Sequence, residues 1–322
     1  MSDHTAFAAQ IQAQFKEGLT GIFPIGGTRT TFILEKNRHQ ADPGEIPDFL
    51  EYATYLIKRY FSFIRMYFDL GGQNMILPLF SYQGFYERGE KYARQMYQTC
   101  RWLIQAEFQE FYRELDADPY FPGIDTLLHL PKDDPAHELG RDLADFQQHW
   151  QYKSGRRTII WEVAPIPFYT FWMAQHQLSA EAEITLGAEI DAIVDLKVMY
   201  ERLYQFYARA AYGIDLPVPH FYVGSNRNGD IKLRSPLSLS LLCGGPFRLY
   251  FTPYPTLFMK PATLQAIIED VAFGKPRRAL TYDYSGQFTP ESAEAEYQRA
   301  LKLSEDPNST IGLTRLSETE DD

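Results

Sequence analysis

The stretch GIFPIGGTRTTFILE, residues 21–35, decides how the rest of the sequence is interpreted. A short apolar run, which predicts a strand over residues 22–25, leads into two glycines and three polar residues. These five residues are Gly26, Gly27, Thr28, Arg29 and Thr30. Glycines allow close approach of the backbone, amides and hydroxyls donate hydrogen bonds to an anion, and arginine neutralises it. The stretch therefore predicts an anion-binding loop.

Composition and charge narrow the class of protein. The chain has 322 residues, of which 45% are hydrophobic and 23% charged, as in ordinary soluble globular proteins. No apolar run approaches the ~18 residues that a membrane span needs, and residues 1–20 lack the pattern of a secretion signal. Cys100 and Cys243 do not suggest a disulfide framework, so we expect a cytoplasmic protein. The net charge of −11 argues against nucleic-acid binding.

Strand-like and helix-like segments alternate along the chain. The alternation predicts an α/β fold with a mostly parallel central sheet, helices on both faces, and ligands at the carboxyl ends of the strands. We expect one domain over residues 1–302 and an acidic, mobile tail over residues 303–322. The predicted strands are 22–25, 74–81, 158–165, 220–225 and 247–253, and the predicted helices are 47–70, 87–115, 187–212 and 260–273.

The loop matches neither of the common nucleotide-binding motifs, since GxxxxGK[ST] and GxGxxG are both absent. Arg88 and Tyr92 are four residues apart on a predicted helix, and Tyr52 lies on the helix after the loop. Arginines and tyrosine hydroxyls suit a diphosphate clamp. The alternatives are a structural turn at the glycines and an ion pair between Arg88 and Glu87.

Three other features have a structural interpretation beside a functional one. The aromatic content of 15% fits either a large core or a pocket that stabilises a cation. Asp133 and Asp134 loosely resemble an acidic metal motif, but Pro135 follows them, which favours a helix cap. His220, beside a predicted strand, is more typical of a core histidine than of a base.

Three segments carry a family resemblance: FPIGGTRTTFILE (23–35), PLFSYQGFYERGEKY (78–92) and SPLSLSLLCGGPFRLYFTPYPTLFM (235–259). Their order and spacing resemble the bacterial diterpene synthases built on the cis-prenyltransferase fold, a group that includes tuberculosinol and kolavelool synthases. The resemblance runs from about residue 20 to 275. It implies a cis-prenyltransferase-like α/β fold and a homodimer.

The resemblance also assigns roles to individual residues. Arg29 would bind the allylic diphosphate, and Tyr52 and Tyr92 would take the places of functional tyrosines, so that these three form the predicted catalytic set. The predicted diphosphate-binding set is Gly26, Gly27, Thr28, Arg29, Thr30 and Arg88.

Two departures from the resemblance bear on cofactor and substrate. The parent transferases have an aspartate before the loop glycine that helps to place Mg²⁺, and here that position is Gly26. The resemblance implies Mg²⁺, but this ligand is missing. The arginine-and-serine motif for a second substrate is not intact, and Arg227, Arg234 and Ser235 remain as polar candidates.

The expected activity is that of a diterpene synthase. It would ionise a bicyclic diterpene diphosphate, kolavenyl diphosphate first among them, and add water to give an alcohol such as kolavelool. Because DxDD is absent, a class II diterpene cyclase would supply the substrate. Two alternatives stay open: a non-catalytic partner subunit of a cis-prenyltransferase, which Gly26 motivates, and a short-chain cis-prenyltransferase.

Overall fold

The computed structural model describes residues 2–39, 49–80, 89–225, 233, 247–274 and 289–305. A six-stranded sheet in the order β3-β4-β2-β1-β5-β6 forms its centre, and every strand pair is parallel. The predicted α/β class and parallel sheet are confirmed. The strands are β1 (Thr20–Ile22), β2 (Asn74–Phe80), β3 (Ala117–Tyr120), β4 (Arg157–Val163), β5 (Phe221–Ser225) and β6 (Arg248–Thr252).

Helices cover both faces of the sheet. They are α1 (Ser2–Gln14), α2 (Thr28–Phe32), α3 (Phe49–Asp69), α4 (Gly89–Trp102), α5 (Ala106–Glu114), α6 (Ile124–His129), α7 (Pro135–His149), α8 (Pro167–His176), α9 (Ala180–Asp191), α10 (Leu196–Tyr212), α11 (Pro261–Phe273) and α12 (Pro290–Glu305). A π-helix, Ile33–Asn37, continues α2, and a 3₁₀ turn, Thr256–Phe258, precedes α11.

Alternate residues of each strand point into two cores. Met75, Leu77 and Trp161 face the larger core, which α1, α3–α7 and α11 complete, whereas Ile76 and Ile160 face a smaller core under α10. The side-chain period of two in a strand explains this division. Among the described helices, none is long and apolar enough to cross a membrane.

Several predicted boundaries were wrong for identifiable reasons. The first strand ends at Ile22 rather than at residue 25, because Pro24 has no amide hydrogen to continue the ladder. The predicted helix 87–115 is two helices, α4 and α5, since the intervening turn presents the Leu103 carbonyl to the Tyr112 hydroxyl at 2.9 Å. The predicted helix 187–212 is likewise divided, with Asp195 capping α10.

Two local interpretations were right. Asp134 caps α7 by accepting a hydrogen bond from the amide of Ala136 at 2.8 Å, and Pro135 is the first helical residue. His220 is a structural histidine: its Nδ1 accepts from the Thr20 amide at 3.1 Å, and its own amide donates to the Thr20 carbonyl at 2.9 Å. The helix α12 ends at Glu305, and residues 306–322 lie outside the description, so the mobile tail stays a prediction.

Pro78 lies inside β2, a central strand, where proline is normally excluded. The register of β2 against β4 shifts between Pro78 and Phe80, and β1 has already ended, because its last residue, Ile22, pairs with Ile76. The missing amide hydrogen of Pro78 therefore interrupts no ladder. Beyond Ile76, β2 extends past β1 at the carboxyl edge of the sheet.

His220 should make stability depend on pH. Burial disfavours the imidazolium and lowers the pKa of His220 to about 4, and an imidazolium could not accept the Thr20 amide hydrogen. The unfolded chain thus binds a proton that the folded chain does not, and stability falls as pH falls from about 6.5 to about 4. We expect His220→Asn, which keeps an acceptor but does not titrate, to remove on the order of 2 kcal/mol of this decline.

The measurement is urea unfolding of both proteins at pH 7, 6, 5 and 4.5. Other groups titrate equally in both chains, so the difference between the two isolates His220. Parallel pH profiles would contradict the assignment.

Candidate functional site

The loop Phe23–Gly27 leaves the carboxyl end of β1 and turns into α2. Gly27 makes this turn with φ of 75°, in the left-handed region that glycine adopts without strain. A Cβ at Gly27 would also lie 3.1 Å from the Cβ of Pro255, so the position is closed to larger residues on two grounds. The Thr31 amide makes the first helical bond, to the Gly27 carbonyl at 2.8 Å.

Thr256, in the turn after β6, binds the loop Phe23–Gly27 at Gly26. Its hydroxyl accepts from the Gly26 amide at 3.2 Å, and its own amide donates to the Gly26 carbonyl at 3.2 Å. Thr256 is fully buried, so these bonds are shielded from water. The two-point contact fixes the path of the backbone at Gly26 relative to the far side of the sheet.

The first two turns of α3 pack against α2. The Tyr52 hydroxyl donates to the Thr28 Oγ1 at 2.9 Å. Phe32 packs edge-on against both Tyr52 and Tyr55, at 5.4 and 5.3 Å between ring centroids. Because the Thr28 oxygen accepts from Tyr52, its own hydroxyl hydrogen remains available to a third group.

A second set of polar contacts lies one turn further along α3. Arg59 donates to the Leu257 carbonyl at 2.6 Å and forms an ion pair with Glu35 at 3.0 Å. The Tyr55 hydroxyl donates to the other Glu35 oxygen at 2.6 Å. Partial burial, and then the neighbouring Glu35 carboxylate, raise the pKa of Tyr55 well above its usual value, so Tyr55 stays protonated at any physiological pH.

Arg29 follows Thr28 at the start of α2, and its side chain is exposed. The first three amides of a helix have no partner within that helix, and here they belong to Thr28, Arg29 and Thr30. Consecutive residues that carry a hydroxyl, a guanidinium and these backbone amides thus begin α2 at the carboxyl edge of the sheet. This combination of donors suits a small anion such as phosphate.

The described structure brings together six of the residues singled out in the sequence. They are Gly26, Gly27, Thr28, Arg29, Thr30 and Tyr52. Of Tyr92, the structure describes the backbone, in α4, and the prediction for its side chain lies outside the description. Arg88, Arg227, Arg234 and Ser235 lie outside the described residues altogether.

Sequence reasoning missed Thr256, Glu35, Tyr55 and Arg59. The helical spacing held a signal for two of them, since Tyr55 and Arg59 follow Tyr52 by three and seven residues on one face of α3. For Thr256 no local signal exists, because its partner is 230 residues away in the chain.

The residues present do not fit a protein-held Mg²⁺. Within the described ranges, no three side chains of His, Cys, Asp or Glu form a group that could hold a metal ion. Gly26 brings no carboxylate to the loop, and Glu35 is engaged by Arg59 and Tyr55. The described part of the site therefore supplies no carboxylate cage for Mg²⁺, and the implied Mg²⁺ stays a prediction.

Comparison with protein-family models gives no match. Among curated proteins, the chain is similar to tuberculosinyl adenosine transferase of Mycobacterium tuberculosis (strain CDC 1551 / Oshkosh). The two are 23% identical over 250 residues, which are 77% of this chain and 73% of the relative.

Two solved structures resemble the fold. Lavandulyl diphosphate synthase from Lavandula x intermedia, in complex with dimethylallyl diphosphate, has a TM-score of 0.51 and 12% identity, over 80% of this chain and 96% of its own. A probable undecaprenyl diphosphate synthase from Campylobacter jejuni has a TM-score of 0.48 and 11% identity, over 80% and 97%. With the parallel sheet and its flanking helices, the first likeness confirms the expected cis-prenyltransferase-like fold.

Proposed function

We propose that the chain is an enzyme that binds an allylic isoprenoid diphosphate at residues 26–30 and ionises it. The observation that carries this proposal is the cluster of donors at the carboxyl edge of the sheet: Arg29, the first amides of α2, and the Thr28 hydroxyl oriented by Tyr52. The similarity to a protein whose name states tuberculosinyl transfer to adenosine supports a diterpenoid as the substrate.

The proposed reaction begins when the bond between carbon and the diphosphate oxygen breaks. The electron pair leaves with the diphosphate, where negative charge develops, and an allylic cation remains. Donors that are fixed before the reaction stabilise developing charge without reorganising, which is the largest contribution in many enzymes. Arg29 and Thr28 would act in this way on the leaving group, while Tyr52 and the predicted Tyr92 would lie near the cation.

Water is the proposed acceptor of the cation. Its oxygen forms the new bond to carbon, and its proton passes to the released diphosphate, which is basic enough to take it. This route needs no carboxylate at position 26. The product would be a diterpene alcohol, with kolavenyl diphosphate as the first substrate to test and kolavelool as the expected product.

The mycobacterial relative favours a second acceptor for testing, because its name specifies adenosine. With adenosine, a bond from a nucleoside atom to carbon would replace the bond from water. The homodimer, the cytoplasmic location and the upstream class II cyclase stay predictions. The partner-subunit and short-chain alternatives are separate outcomes of the experiment below.

Product analysis by mass spectrometry tests the proposal. The purified chain is incubated with kolavenyl, halimadienyl, copalyl or geranylgeranyl diphosphate, each with Mg²⁺ or EDTA, and with or without adenosine. A diterpene alcohol or an adenosine adduct from one bicyclic substrate supports the proposal and identifies the acceptor. Incorporation of labelled isopentenyl diphosphate would favour chain elongation instead, and activity only with a second prenyltransferase chain would favour a partner subunit.

Arg29→Met should weaken binding of inorganic diphosphate by about 10- to 100-fold, because a charge-assisted hydrogen bond contributes about 1.5–3 kcal/mol. Isothermal titration calorimetry measures the affinity. Arg209→Met is the control, since it removes the same charge from an exposed arginine of α10 that is paired with Asp215. Equal affinities in the two variants would contradict the role of Arg29.

Tyr52→Phe and Thr28→Val should not be additive. The hydrogen bond from the Tyr52 hydroxyl orients the Thr28 hydroxyl toward the diphosphate, so either substitution alone removes the contribution of the oriented hydroxyl to binding. In a double-mutant cycle on diphosphate affinity we expect a coupling energy of about 0.5–1.5 kcal/mol. Additive effects would mean that the two hydroxyls act independently.

Gly26→Asp should create a dependence on Mg²⁺. Gly26 does not have a positive φ, so the backbone conformation does not itself exclude a side chain there, and a carboxylate is the ligand that Mg²⁺ prefers. We expect the ratio of diphosphate affinity in Mg²⁺ to that in EDTA to rise about tenfold over the wild-type ratio. An unchanged ratio would show that the missing carboxylate does not determine metal use at this loop.

A further inference from the structure

We infer that Arg59 is a positioning residue that holds the anion-binding turn in place through the contacts of one guanidinium with two other segments. This inference rests on the proposed function, since it concerns how Arg29 and Thr28 are presented to a diphosphate. Arg59 belongs to α3, Glu35 to the π-helix that continues α2, and Leu257 to the turn that carries Thr256. One side chain thus joins the three segments around the loop.

The contacts along this face follow the helical spacing of α3. Tyr52 contacts Thr28 and Phe32, Tyr55 contacts Phe32 and Glu35, and Arg59 contacts Glu35. Positions three and seven residues after Tyr52 lie on the same side of a helix, so the residues act as a row of contacts. Arg59 ends this row and connects it to the Thr256–Phe258 turn.

A contribution to folding stability does not explain why position 59 is an arginine. Its Nε is buried and has no hydrogen-bond partner among the residues that the structure describes, and the side chain as a whole is 29% exposed. An unpartnered buried N–H group opposes folding, and apolar residues of similar volume often replace partly buried ion pairs without loss of stability. A residue that breaks a local rule without a gain in stability is a candidate for function.

The guanidinium is needed because of its shape. Both contacts are made by one nitrogen, Nη2, whose two hydrogens diverge within the plane of the guanidinium, so the carboxylate and the carbonyl are reached from fixed directions. A lysine ammonium lies on a flexible stem and does not fix these directions. Arg59 approaches Glu35 at 3.0 Å and the Leu257 carbonyl at 2.6 Å. If Arg59 is removed, the π-helix keeps Tyr55 but loses its connection to the turn behind the loop.

The first readout is hydrogen exchange by mass spectrometry on the full chain. Arg59→Met should make the amides of residues 28–37 exchange about fivefold to tenfold faster, with β2 and β4 unchanged. Arg202→Met is the matched control: the Arg202–Glu189 pair has side-chain exposures of 30% and 45%, close to the 29% and 34% of Arg59 and Glu35. That variant should leave residues 28–37 as in the wild type.

The second readout is calorimetric affinity for inorganic diphosphate. Arg59→Met should weaken binding about tenfold, Arg59→Lys by less, and Arg202→Met not at all, while the melting temperatures of the two Met variants stay close. Glu35→Gln serves if Arg59→Met does not fold, because it removes the negative charge and leaves one acceptor oxygen where Glu35 contacts Tyr55 and Arg59 through two. It should give a smaller change in the same direction.

The outcomes separate the two proposals. Wild-type exchange at residues 28–37 in Arg59→Met, faster exchange across all strands, or unchanged diphosphate affinity would overturn the role of Arg59. If the wild-type chain binds no diphosphate, the proposed function fails, and the exchange at residues 28–37 alone decides whether Arg59 holds this turn.

Discussion

The sheet depends on how its shortest inner strand is held. β1 has three residues, yet it separates β2 from β5 and begins the loop of the site. Because so short a strand makes few ladder hydrogen bonds, neighbouring side chains add further ones. At the start of β1, the Thr20 amide donates to His220 and the Thr20 hydroxyl accepts from the Asn74 side chain. Beyond the end of β1, the Gly26 amide donates to the Thr256 hydroxyl. With both ends fixed, the segment between them has little freedom.

The charge of the chain determines what kind of anion such a loop can hold. A net charge of −11 repels polyanions at a distance, so long-range attraction contributes little to binding. Binding of an anion must therefore come from short-range hydrogen bonds. The donors at the loop are hydroxyl, amide and guanidinium groups within one turn of helix. Arg59 is already neutralised by Glu35, which leaves it a structural rather than an attracting charge.

Local pattern predicted most of the fold and part of the site. Helical and strand periodicity located the larger elements, and the glycine loop with Tyr52 followed from residue type. β3 was missed because ADPY lacks a strand pattern; its buried Asp118 is satisfied by Trp150 Nε1, the Lys153 amide and Arg156. Thr256 was missed because its partner, Gly26, is 230 residues away in the chain. For Arg59, helical spacing places the side chain on the face of Tyr52 but does not identify Glu35 and Leu257 as its partners.

The π-helix after α2 has a consequence for evolution by insertion and deletion. A π-turn contains one residue more than the α-helical path it replaces, and each residue of a helix advances it by about 100°. Deleting one residue from Ile33–Asn37 would restore α-helical winding over the segment itself, and Glu35 would leave the position from which it contacts Tyr55 and Arg59 of α3. Homologues that keep the contacts with α3 should therefore vary in sequence at this segment while conserving its length.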